Sequence, residues 1–177
     1  MPLNNPFATH PEVPSFNVTS TTLNDGDSFG LDQMSGIFGV PGGKDRSPQL
    51  SWSGAPAETQ GYAVTIYDPD APTGSGFWHW AVATLPASVT ALPEGAGDAN
   101  GVGLPAGTIQ YKNDAGIACF LGAAPPPGHP AHRYFISVYA LDTADLGVPA
   151  DATSALLGFN LFGHTIARAE MIAMAGG

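Results

Sequence analysis

Alternating or β-branched runs recur along this chain between clusters of glycine and proline, and every one of them is short. They cover Phe16 to Thr22, Gln49 to Ser53, Tyr62 to Asp68, His79 to Leu85, Thr108 to Lys112, and Arg133 to Leu141. Strands need partners to bury one face, so six such runs predict a mainly β chain, an antiparallel two-sheet fold. With 23 Gly and 17 Pro among 177 residues, turns and ordered loops take much of the remaining backbone. One short helix is expected between Asp151 and Phe162, where Asp151 or Thr153 can cap an N-terminus and Leu156, Leu157, Asn160 and Leu161 recur at helical spacing. From His164 to Ala175 two patterns compete. Alanine and methionine favour helix, while Ala167, Ala169, Met171 and Ala173 alternate as a strand would.

Length fits one domain over residues 1–177, large enough for a core without disulfides. Residues 1–14 hold four prolines and read as an extended N-terminal arm. The formal charge is −10 with only five basic residues, Lys44, Arg46, Lys112, Arg133 and Arg168. That excludes a nucleic-acid groove and disfavours an anionic bilayer surface, because both need clustered cations. Cys119 is the only cysteine, so internal disulfides and multi-cysteine metal sites are excluded. No basic stretch followed by an apolar run opens the sequence, and no window reaches the roughly 20 apolar residues of a membrane span. The expected location is cytoplasmic, with no stable membrane insertion.

Three segments carry candidate chemistry. In Tyr62 to Asp68, period-2 alternation puts Tyr62, Val64, Ile66 and Asp68 on one face, so Asp68 ends an apolar row where a carboxylate needs partners. It opens Asp68-Pro69-Asp70-Ala71-Pro72, a loop stiffened by two prolines. In Phe77-Trp78-His79-Trp80, aromatic rings surround a histidine and exclude water from it. The third, Gly122 through Tyr134, has glycines that let backbone donors approach a ligand and a rigid run of prolines before His132. Each segment alone also reads as ordinary structure: Asp-rich turn chemistry, a satisfied core histidine, a proline-rich turn.

Taken in order, Ser47-Pro48-Gln49-Leu50-Ser51-Trp52, Asp68-Pro69-Asp70-Ala71-Pro72, His79-Trp80, Pro125-Pro126, Gly128 and His132-Arg133-Tyr134 resemble the phosphatidylethanolamine-binding protein family, which includes the Raf kinase inhibitor proteins. The match is nearest to its compact bacterial branch. The resemblance implies two antiparallel sheets with a few short helices, and a pocket for phosphate-like or carboxylate groups. Carried over position by position, it assigns Asp68, Ala71, Pro72, His79, Gly122, Pro125, His132 and Tyr134 to that pocket. Asp70 and Arg133 stand beside them as a structural ion pair. It also implies a cis Ala71–Pro72 bond and a homodimer.

The expected function is therefore binding of a small anion such as a phosphate, carboxylate or phospholipid head group, without catalysis, cofactor or metal. Two rivals use the same residues. A hydrolase or metal-dependent enzyme would employ His79 or His132 as a base, but it needs a nucleophile, and Cys119 lies in an apolar stretch without an evident base. A protein-interaction module would engage a kinase, a protease or a second copy through the pocket or the arm.

Overall fold

Each long apolar run becomes a strand because it can pair with a neighbour while burying at least one face. The computed structural model describes residues 4–177, so the first three residues of the expected arm lie outside the described residues. In chain order the strands are β1 (Asn17–Thr19), β2 (Leu50–Ser53), β3 (Gly61–Asp68), β4 (Phe77–Pro86), β5 (Ala91–Leu92), β6 (Ile109–Gln110), β7 (His132–Leu141) and β8 (Thr165–Ala175). Helix α1 (Ser154–Leu161) lies between β7 and β8, and a 3₁₀ turn spans Leu31–Gln33. All strand pairings within the two sheets are antiparallel: a large sheet ordered β6-β4-β3-β7-β8 and a small one ordered β1-β2-β5.

The expected alternation sets the layers. Tyr62, Val64 and Ile66 of β3 share the inner core with Tyr134, Ile136, Val138 and Ala140 of β7 and with Leu50 and Trp52 of the small sheet. The opposite face of β3 and β7, with Ala63, Tyr139 and Leu141, packs on Leu157 and Leu161 of α1. Thr153 caps that helix by accepting a hydrogen bond from the Leu156 N–H at 3.2 Å. β3 is thus buried on both faces, which is why its burial is nearly continuous.

One open question is decided and several expectations need correction. The tail is strand: β8 pairs with β7 from Thr165 to Ala175, and Ala167, Ala169, Met171 and Ala173 fill the inner core. A free edge on β7 offering a full ladder of hydrogen bonds overrides the helical preference of alanine. Phe16 to Thr22 shrinks to β1 and Thr108 to Lys112 to β6, while the two-residue strand β5 was not anticipated. The arm coils through Asn5 to His10 in two successive turns rather than lying extended, and sets Phe7 against Phe135 and Tyr139.

β4 carries two β-bulges against β3. Between the pairs Tyr62↔Leu85 and Val64↔Val82, β4 has one residue more than β3, and there Thr84 adopts φ 62°. Between Ile66↔Trp80 and Tyr67↔Trp78 the extra residue is His79. Among the described residues, no helix is long and apolar enough to cross a membrane.

Candidate ligand site

In an antiparallel sheet the end of one strand lies beside the starts of its neighbours. β3 ends at Asp68, while the flanking strands β4 and β7 begin at Phe77 and His132. The three sequence segments therefore meet at one end of the large sheet. Asp68, Ala71, Pro72, His79, Pro125, His132 and Tyr134 line a cavity of about 120 Å³ there. Thr73, Phe77, Ala124 and Pro126 complete the wall.

The bulge at His79 is what aims that side chain. Trp78 and Tyr67 sit as a tilted pair on the outer face, with ring centroids 4.6 Å apart, while Trp80 fills the inner core. The unpaired residue between them turns its ring toward Tyr134, 5.1 Å away, and Phe77, 4.7 Å away. His79 Nδ1 donates to the Leu121 carbonyl at 2.8 Å. Burial holds its pKa at about 4, the carbonyls of Leu121 and Gly122 opposing the shift. The imidazole is therefore neutral near pH 7, and with the proton on Nδ1 its Nε2 is an acceptor.

Asp68 and His132 form a buried pair, with Nδ1 donating to Oδ2 at 2.8 Å. Asp68 Oδ1 accepts the Asp70 N–H, also at 2.8 Å. Burial raises the Asp68 pKa, against the pull of the His132 hydrogen bond and the Asp70 amide. Because Nδ1 is spent on the carboxylate, Nε2 is the His132 atom left for a ligand. Tyr134, pushed up by burial and by Asp68, keeps its phenolic proton as a donor, and no acceptor among the described residues takes it.

Behind the cavity Arg133 grips Asp70 in a fork, Nε to Oδ2 and Nη2 to Oδ1 at 2.8 Å each, with its own N–H on Oδ2 at 3.0 Å. This locks the Asp68–Pro72 loop to the first turn of β7. The Ala71–Pro72 bond is trans, correcting the expected cis isomer. Pro72 centres a tight turn that the Thr73 N–H closes on the Ala71 carbonyl at 2.7 Å, a geometry that proline's fixed φ suits in the trans form.

Gly122 does not line the cavity. Its N–H is committed to Asp45 Oδ1 at 2.8 Å, and a Cβ there would stand 2.6 Å from the Ser35 amide nitrogen. Its role is close backbone approach to the 34–35 segment. The proline-rich loop also presents fewer donors than its glycines suggest. Pro125, Pro126 and Pro127 have no N–H, and Ala123 donates to Gln33. Among the described residues of this wall, the Ala71 N–H has no protein acceptor, and neither has the Ala124 N–H. The Ala124 amide was legible in principle as the last before the prolines.

A model of the "Phosphatidylethanolamine-binding protein" family matches residues 19–175, nearly the whole described fold. The chain belongs to the phosphatidylethanolamine-binding protein family. It is 45% identical over 160 residues to YbcL of Escherichia coli, covering 90% of this chain and 87% of that one. To YbhB of the same organism it is 43% identical over 155 residues, with 88% and 96% covered. The crystal structure of E. coli YbcL superposes with a TM-score of 0.88 at 44% identity, spanning 92% of this chain and 99% of that one. A family homolog from Chlamydia trachomatis gives a TM-score of 0.74 at 27% identity, over 91% and 97%. The two-sheet architecture is thus the family fold.

Cys119 is buried, and burial raises its thiol pKa. The Thr73 hydroxyl, which lines the cavity, gives its proton to the Gly76 carbonyl rather than to an imidazole. Asp68 Oδ2 and His132 Nδ1 are bonded to each other and are not open metal ligands.

Proposed function

We propose that this protein binds small anions carrying a phosphate or carboxylate group in the cavity at the end of the large sheet, without transforming them. The observation that carries this reading is the set of unclaimed polar atoms around it. The Ala124 N–H and the Tyr134 O–H are donors, and the two imidazole Nε2 atoms complete the ring. A cavity of about 120 Å³ takes a head group and leaves any longer tail outside. Neutral His79 supplies an acceptor, so the best ligand carries a proton on one oxygen, as a phosphate monoanion does. His132 turns its Nε2 to the same space, its ring held in place by the Nδ1 hydrogen bond to Asp68.

Affinity for inorganic phosphate therefore rises as pH falls through neutrality and the monoanion replaces the dianion. Calorimetric titration of phosphate and phosphoethanolamine on either side of neutrality tests it, with His132→Ala as the control. The expected result is tighter binding on the acid side and a loss of at least about tenfold in the variant, on the scale of one charge-assisted hydrogen bond. Flat affinity with an inert variant would overturn the assignment. Light scattering on the same samples reads whether two copies associate, and release of product from a phosphomonoester would point to catalysis instead.

A further inference from the structure

The opposite, outer face of the large sheet holds a second and larger cavity, about 710 Å³, away from the anion pocket. That volume lies within the range of drug-sized ligand sites, about 300–1,000 Å³. Its floor is β3, β4 and β7, its sides are α1 and the N-terminal arm, and its walls are the rings of Phe7, Tyr67, Trp78, Tyr139 and Phe162. Phe159, on the exposed side of α1, stands at the mouth with 78% of its surface open.

One cation faces this aromatic enclosure. Arg168 of β8 is only 14% exposed and lies over the Phe7 ring, Cζ 3.8 Å from its centroid. Its Nε donates to Glu170 Oε2 at 3.1 Å, and among the described residues neither terminal nitrogen has an acceptor. Its four terminal N–H groups are not sealed from solvent and stay open to an acceptor within the cavity. On the floor Thr65 Oγ1 and the Tyr139 hydroxyl share one hydrogen bond of 3.0 Å, which leaves one hydroxyl proton over.

We propose that this cavity is a second binding site, for a small aromatic molecule with one carboxylate, its ring among the aromatic walls and its acid on Arg168. Planar rings match the walls better than a flexible chain, because stacked and edge-on contacts add to simple burial. The fork of Arg168 suits a planar carboxylate.

The test titrates naphthalene-2-carboxylate and its uncharged carboxamide into the full chain by calorimetry. The carboxylate binds at least about tenfold more tightly, the worth of one charge-assisted contact. Arg168→Gln removes that preference and leaves the carboxamide affinity in place, which also shows that the variant is folded. Ala155→Trp, at an exposed helix position on the cavity wall, abolishes both. His132→Ala changes neither, which separates this site from the anion pocket. Equal affinities in the native chain, or no binding of either, overturn the proposal whatever Arg168→Gln does. So does loss of binding in His132→Ala, or a dimer split by Ala155→Trp with no ligand heat, which would make the face a contact between copies.

Discussion

His79 is a buried base held neutral by its surroundings, and this ties stability to pH. Its folded pKa of about 4 lies below the ordinary 6.5, so between those values the unfolded chain binds the proton first. The stability it contributes is whole above about pH 6.5 and is lost progressively toward pH 4. His79→Gln keeps a donor for the Leu121 carbonyl and removes the titration. Across that window its stability curve is shallower by up to about 1.4 kcal/mol per pH unit, read by urea unfolding. An unchanged slope would assign the proton to another group. Gly122 makes a different prediction. A methyl group at Gly122→Ala meets the backbone of Met34 and Ser35, which cannot rotate away, so stability falls by about 1–3 kcal/mol with an unchanged denaturant slope. Both residues were picked out in the sequence as pocket members, but a glycine at a backbone crossing and a glycine at a ligand leave the same mark in a sequence.

Elements decide what those residues face. The Asp68–Pro72 loop is held to β7 by the Asp70–Arg133 fork, and that guanidinium keeps the Asp70 carboxyl below its usual range. Stability from this pair is present above the ordinary carboxylate pKa and lost as pH falls through the depressed one. Asp70→Asn costs about 1.5–3 kcal/mol, the scale of hydrogen bonds to a charged group, and weakens phosphate binding by loosening the loop. Thermal unfolding with and without phosphate separates the two effects; a variant as stable as the native chain would show the fork to be dispensable. The strands β3 and β7, and their buried faces, were legible from period-2 alternation. The bulge was not: Phe77-Trp78-His79-Trp80 reads as simple alternation, and only the register against Ile66 and Tyr67 shows that His79 is the extra residue. β8 was undecidable for a related reason, since alanines at alternate positions serve a helix or a strand until the neighbouring edge is known.

For the whole molecule, two packed sheets followed from the punctuation of short runs, while strand order did not, because pairing partners lie far apart in the chain. β3 pairs with β7 some seventy residues on, with Tyr67 opposite Phe135. The arm belongs to this scale as well. Phe7 lies on Phe135 and Tyr139 and under Arg168, and the Asn4 carbonyl accepts from Arg133 Nη2 at 2.7 Å. Deleting residues 1–10 lowers stability by roughly 1–2 kcal/mol through those ring contacts, while phosphate affinity is retained because the cavity draws none of its lining from the arm. Loss of phosphate binding in that variant would show that the two faces of the sheet do not act independently.

The run of three prolines beside the cavity also governs how binding can be watched. Pro125, Pro126 and Pro127 carry no amide hydrogen, so in a nitrogen–proton correlation spectrum that stretch of wall is silent. Resonances of Ala124 and Gly128 bracket the gap, and of the two only Ala124 touches the enclosed space. A ligand settling there announces itself on the proline side through the Ala124 signal, while the amides of Ala71, Thr73 and Phe77 report from the facing wall.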